Sequence, residues 1–322
     1  MVLSEMSDYM KFEEICKNYI DDKVLAISPL GDGHINDTFL IETKECNYVL
    51  QRLSIEMDIK KLEYNYNLYS EPFEECDWSY PKWLKIKDEG FFHTDINGDN
   101  WRMYHYISGD AIDLPMSKDM LYACGSGLAR MHAALQKIKE KPKAVFPHLH
   151  DLRFYYDKYT RIISENVAID EHRDERIEKR IKDLNSRFTD YTDDDQSIIH
   201  GDTKVANALF KDGQMIGFLD FDTVMTGSIN TDIADCIRSC CFTDGVLDQA
   251  AAESFIKGYI SISPNSKEEV TNKWKETLRK ICYLLAIRYY TDEISGENYF
   301  KEKYSGYRLE KATELLEMCI CG

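Results

Sequence analysis

Hydrophobic positions in the first hundred residues fall in short runs separated by polar turns. The stretches KVLAISPL (23–30), DTFLIET (37–43), NYVLQRLS (47–54), PKWLKIK (81–87), GFFHTD (90–95) and NWRMYHYI (100–107) are rich in aromatic and β-branched residues, with Asn, Asp and Gly between them. That alternation predicts an antiparallel sheet. One helix interrupts the series, from about Asp58 to Cys76, with Leu62, Tyr66 and Tyr69 at helical spacing. After YISGDAIDLP (106–115) the pattern changes to long amphipathic helices, as in MSKDMLYACGSGLARMHAALQKI (116–138) and NKWKETLRKICYLLAIRYYTDEI (272–294). Between them, SIIH, NALF and IGFLD are short strand candidates joined by turns, one at Asp212-Gly213.

These periods predict an α+β chain of two lobes: a sheet-rich unit over residues 1–108 and a helix-rich unit over residues 109–322. A formal net charge of -17 argues against general attraction to nucleic acid or anionic membranes. No apolar run reaches the roughly 18 residues that span a bilayer, and the N-terminal stretch lacks a signal-peptide pattern, so a cytoplasmic protein is expected. Ten cysteines lie scattered among apolar residues without paired metal spacing, which predicts reduced, mostly buried thiols. The acidic run Asp193–Asp195 reads as a solvated loop.

The stretch IIHGDTKVANALFKDGQMIGFLDFDTV (198–224) sets carboxylates beside apolar strands. A carboxylate taken out of water costs several kcal/mol unless it is paired, hydrogen-bonded or metal-bound, so the cluster marks a site. Asp202 is followed by Asn207 and then by Asp220 at a strand end. Phosphoryl transfer from a nucleotide uses such a set: a carboxylate for the acceptor hydroxyl and hard oxygen donors for magnesium. Lys204 can set a positive charge against the moving phosphoryl group. In LGDGHINDT (30–38), Gly31 and Gly33 allow backbone amides to approach phosphate oxygens.

HGDTKVAN resembles the catalytic loop of the protein-kinase-like fold, His-x-Asp-x-x-x-x-Asn, with LDFD where that fold carries a metal-binding Asp. The His-Gly-Asp form is similar to the aminoglycoside phosphotransferase branch of that superfamily, whose members act on small molecules. Taken in order, GDGHINDT, YVLQR, HGDTKVAN, LDFDTVMTG and RYYTDEISGENYF resemble the N-acetylhexosamine 1-kinase group, over about residues 31–300.

The resemblance implies a bilobal protein-kinase-like fold in which an N-acetylhexosamine (GlcNAc or GalNAc) is phosphorylated on its anomeric hydroxyl, with ATP as donor and magnesium as cofactor. It implies Asp202 as base, Lys204 as charge stabiliser, and Asn207 and Asp220 as metal ligands, with Asp222 sharing that task. Gly31 and Gly33 would cover the phosphates. Gln51 stands where the fold carries a strand lysine and Arg52 follows it, and strand alternation lets only one of the two face the nucleotide. Sugar recognition would fall to His34, Asp37, Arg288 and Tyr299. His200 and His132 read as structural, and Arg238 as an internal ion pair with the acids of DIADCIRSC. Other acceptors remain open: choline, homoserine, methylthioribose or an aminoglycoside. An inactive kinase-like binding protein is the reading from another class. A protein kinase is disfavoured, because no Ala-Pro-Glu segment follows LDFDTVMTG.

Overall fold

The computed structural model describes residues 6–31, 36–87, 90–110, 112–189, 196–243, 245–263 and 267–321. Gly33, His34 and Asp193–Asp195, all singled out above, lie outside the described residues.

Alternating apolar positions build a five-stranded sheet in the first lobe. Its strands are β1 (Val24–Pro29), β2 (Asp37–Thr43), β3 (Asn47–Arg52), β4 (His93–Thr94) and β5 (Asn100–His105), in the order β1-β2-β3-β5-β4. All neighbours are antiparallel, and register fixes which side chain meets which: Thr38 opposes Gln51, and Gln51 opposes Arg102. Because successive strand residues face opposite ways, Tyr48, Leu50, Trp101 and Met103 fall on one face. There they pack beneath helix α1 (Met6–Cys16) through Phe12, Ile15 and Cys16. That helix was absent from the sequence expectation. Val49 and Tyr104 fall on the other face, within the main core.

Helix α2 (Ile59–Glu75) starts where Asp58 accepts the amides of Lys60 and Lys61, and it buries Leu62, Tyr66, Tyr69 and Phe73. The expected strand over 81–87 forms only partly: Trp83 bridges Tyr104 and Leu84 N–H donates to Met103 O. The chain then turns away, with Lys87 N–H donating to Asn18 O.

The second lobe is mostly helical: α3 (Lys118–Leu135), α4 (Leu152–Ser164), α5 (Glu175–Thr189), α6 (Ile229–Cys240), α7 (Gln249–Ile262), α8 (Lys267–Ser295) and α9 (Tyr307–Cys321). Short strands β6 (Ser197–Ile199), β7 (Ala208–Lys211), β8 (Gln214–Phe218) and β9 (Met225–Gly227) pair as β6-β9 and β7-β8, joined through a 3₁₀ turn at Val205–Asn207. A small hairpin, β10 (Phe242–Thr243) with β11 (Val246–Leu247), follows α6. The cysteines described are free thiols. No helix among the described residues is long and apolar enough to cross a membrane.

Two contacts, among several between the lobes, set them in register. Ser79 N–H donates to Ile216 O (2.9 Å) and Phe218 N–H to Ser79 O (3.2 Å), so a loop of the sheet lobe adds to β8. Only glycine permits this approach, since a Cβ on Gly217 would lie 1.9 Å from Ser79 O. A buried ion pair, described next, makes the second contact.

Candidate active site

The residues of the 198–224 stretch meet a cavity of about 770 Å³ between the sheet and the helices. Its lining includes Gly31, Gln51, Asp202, Lys204, Asn207 and Asp220 from the expected set, together with Arg288 and Tyr299.

The loop that carries Asp202 is fixed from below. Asp232 on α6 is fully buried. Its carboxylate accepts His200 N–H (2.8 Å), Gly201 N–H (2.9 Å) and His132 Nε2 (3.0 Å), and Thr203 Oγ1 donates to its carbonyl (2.6 Å). His132 is in turn held by Tyr259 OH (2.8 Å). His200 donates from Nε2 to Leu219 O (2.9 Å) and accepts Asp202 N–H at Nδ1 (3.2 Å). Burial pushes its pKa below the usual histidine value, consistent with that neutral tautomer. Gly201 has φ +86, and a Cβ there would lie 2.6 Å from Thr223 O, so the turn between His200 and Asp202 requires glycine.

Within the loop, Asp202 Oδ2 accepts Lys204 Nζ (2.7 Å) and Asn207 Nδ2 (3.0 Å); the same amide also donates to Asp202 O (2.9 Å). Among the described residues, Asp202 Oδ1 and Asn207 Oδ1 have no hydrogen-bond donor. Burial alone would raise the Asp202 pKa, but the charge and hydrogen bond of Lys204 outweigh it and hold the group below the ordinary value. Lys204 is the mirror case: burial pulls its pKa down and Asp202 more than restores it. Leu219 N–H donates to Asn207 O (2.7 Å), tying the loop to the segment after β8 that carries Asp220.

Asp220 and Asp222 stand in different environments. Asp220 adopts left-handed backbone angles, φ 60 and ψ 60, unusual for a residue with a Cβ. No hydrogen-bond donor among the described residues reaches its carboxylate. Burial, then the charges of Asp222 and Asp202, push its pKa up to about 7. A carboxylate so placed, beside the free Asn207 Oδ1, is a hard-oxygen donor set short of positive charge, and it fits a divalent cation.

Asp222 was expected to share the metal. It also lines the cavity, but both its oxygens are engaged: Asp222 is 2% exposed, and Arg102 donates from Nη1 to Oδ1 (2.5 Å) and from Nη2 to Oδ2 (2.8 Å). Asn36, at the end of the glycine-containing loop, adds a third donor to Oδ2 (3.1 Å). Arg102 Nε donates to the Gln51 amide oxygen Oε1 (2.9 Å), and its guanidinium lies 4.9 Å from the Trp83 ring centroid. The pair therefore bolts β5 and Asn36 to the turn that carries Asp220 and Asp222.

Arg102 is the residue that sequence reasoning missed. Its signal was a charged residue inside NWRMYHYI, a strand whose Trp101, Arg102, Met103 and Tyr104 are all buried. Arg52 and Asp37 are corrected too. Alternation sends Gln51 to the cavity and Arg52 to the opposite face, where Arg52 Nε donates to Asp37 Oδ2 (3.0 Å) and Nη1 approaches Asp99 (3.4 Å). Neither Arg52 nor Asp37 lines the cavity. Arg288 is 7% exposed and lies among three rings, 4.8 Å from the Tyr155 centroid, 5.0 Å from Tyr299 and 5.3 Å from Phe300.

Comparison with known proteins places this geometry. A model described as APH, phosphotransferase enzyme family, matches residues 26–263. Homoserine kinase of Hyphomonas neptunium (strain ATCC 15444) is 22% identical over 282 residues, 85% of this chain and 82% of that protein. Homoserine kinase of Gluconobacter oxydans (strain 621H) is 28% identical over 114 residues, 35% of this chain, and the match spans about a third of that relative (34%). Among solved structures, amicoumacin kinase in complex with AMP-PNP, Ca2+ and Ami superposes with a TM-score of 0.67 at 11% identity, covering 97% of this chain and 93% of that one. Choline kinase LicA from Streptococcus pneumoniae gives 0.64 at 14% identity, covering 98% and 99%. At such identities the structural likeness shows the kinase-like bilobal fold.

Proposed function

The chain belongs to the APH phosphotransferase enzyme family, and from that premise we propose that it transfers the γ-phosphoryl group of ATP to the anomeric hydroxyl of an N-acetylhexosamine. The observation that carries the acceptor is the part of the cavity wall around Arg288. Arg288 is buried among Tyr155, Tyr299 and Phe300 with no carboxylate partner among the described residues, its one hydrogen bond being a long 3.5 Å contact to Leu149 O. A guanidinium with spare donors suits an N-acetyl carbonyl, and the exposed Tyr299 ring in the lining suits the C–H face of a sugar.

Asp202 keeps Oδ1 open to accept the acceptor hydroxyl, while Oδ2 is held by Lys204 and Asn207. The carboxylate stays ionised at neutral pH, and it takes the proton late, as the phosphoryl group moves. Lys204 supplies positive charge beside the transferring group. Gly31, Gln51 and Thr38 line the donor side of the cavity, and Arg102 sets Gln51 there through its Nε bond. Asn207 and Asp220 would hold magnesium, which when bound neutralises charge on the β- and γ-phosphates. No three His, Cys, Asp or Glu side chains form a metal cage among the described residues; a magnesium ion that shares phosphate oxygens and waters requires only one or two carboxylates.

The homoserine kinase relatives favour a second acceptor, homoserine, whose carboxylate Arg288 could hold. Incubation of the protein with ATP, magnesium and a panel of N-acetylglucosamine, N-acetylgalactosamine, homoserine, choline and an aminoglycoside separates the readings. Turnover of the N-acetylhexosamines with homoserine left untouched is expected; the reverse pattern establishes the second reading.

A further inference from the structure

On the acceptor side of the cavity one charged group is half used. Asp235, on α6 one turn beyond the bracing Asp232, has a side chain only 9% exposed and lines the cavity wall. Its partner is Arg238, one turn farther along the same helix and also in the lining. Arginine and a carboxylate usually meet fork to fork, two N–H groups on two oxygens. Here both guanidinium donors fall on one oxygen: Nε (3.0 Å) and Nη2 (2.8 Å) both reach Asp235 Oδ1. Oδ2 is left buried with no hydrogen-bond partner.

A buried carboxylate oxygen without a donor is costly and uncommon in a folded protein. Asp220 has an evident use for its free carboxylate; Asp235 has none in the chemistry derived so far. Its surroundings say what would satisfy it. Lys204 and His150 feel its charge, and Arg238 feels that of Asp202, so the pair stands beside the catalytic loop on the acceptor side. Ile281, Leu284 and Leu285 of α8, the helix packed against α6, add apolar lining. A small neutral donor fits there, since a further cation would meet Arg238 and a further anion would meet Asp235.

Resting on the sugar-kinase reading above, we infer that Asp235 and Arg238 form a hydroxyl-recognition pair, in which Asp235 Oδ2 accepts a non-reacting hydroxyl of the acceptor. The pair makes the site selective for polyhydroxylated acceptors over those whose only hydroxyl is the one that reacts. Asp235 is a specificity residue: Asp202 handles the reacting hydroxyl, and Asp235 handles another hydroxyl on the same ring.

The test pairs substrate and protein changes. Wild-type protein is assayed with N-acetylglucosamine and its 3-, 4- and 6-deoxy analogues. One analogue is expected to lose roughly 10- to 150-fold in kcat/KM, the range of a hydrogen bond to a charged group. Asp235→Asn keeps an acceptor for Arg238 at one position and replaces the other oxygen with a donor. It is expected to lose a similar factor with the full sugar, chiefly through KM, while nucleotide affinity is unchanged. It should lose nothing further with the sensitive analogue. The deoxy series needs no variant, so the inference stays testable if Asp235→Asn fails to fold. Equal kcat/KM across the series overturns it, as does an Asp235→Asn variant equally impaired on all analogues. If the sugars are not substrates but another polyol is, the same comparison on that polyol decides the pair while the hexosamine reading falls. Turnover of choline alone, or of no acceptor at all, overturns both.

Discussion

Replacing Arg102 with leucine removes the cation that joins the two lobes. It leaves Asp222, 2% exposed, with Asn36 as its remaining side-chain donor. Removing one partner of a buried ion pair costs about 3–5 kcal/mol, because the other charge stays buried and unpaired. With an unfolding entropy of about 2.1 cal/mol/K per residue, the 322 residues give roughly 0.7 kcal/mol/K, so the expected drop in Tm is about 4–7 °C. Asp222→Leu alone strands Arg102 and should cost a similar amount. The double variant, Arg102→Leu with Asp222→Leu, removes both charges and should recover much of the loss, since a buried pair is often no more stable than apolar residues of like volume. Calorimetric melting of the four proteins gives the coupling energy, expected at about 2–3 kcal/mol. Additivity within about 0.5 kcal/mol would refute the ion pair as the bolt between the lobes.

Two further outcomes follow from the same geometry. The Asp220 pKa is raised from 3.8 to about 7, so its ionisation opposes folding: the penalty is absent below pH 4, grows as pH rises and is complete above pH 7. Asp220→Asn should therefore melt a few degrees above wild type in EDTA at pH 8, by no more than about 4 kcal/mol, with a smaller margin at pH 5; a variant less stable at pH 8 contradicts the placement. Asp232→Asn turns an amide N–H₂ toward donors that now point at a carboxylate. It should cost about 3 kcal/mol and lower kcat by misplacing Asp202, and unchanged melting and rate would sink the bracing role.

What the sequence disclosed and what it withheld divide by distance along the chain. Asp202, Lys204, Asn207 and Asp220 lie within one short stretch, and their spacing alone brings them to one cavity wall. Arg102 and Asp222 are 120 positions apart, and their pairing depends on the β3–β5 register and the docking of two lobes, which no local period encodes. The choice between Gln51 and Arg52 stayed open for a related reason: alternation says that only one of them faces inward, and register says which. Asp232 was visible as an acid on a helix, but its bonds run to backbone amides some 30 residues earlier. The expected strand over 81–87 failed because its hydrogen bonds to β5 stop after Leu84.

The most direct test of the account follows the product. Wild-type protein with ATP, magnesium and N-acetylglucosamine, monitored by phosphorus NMR, should accumulate the sugar 1-phosphate in step with ADP. Asp202→Ala should lose this turnover by orders of magnitude while binding nucleotide normally. Phosphate appearing at another sugar position, or an Asp202→Ala variant that keeps its rate, would contradict the account.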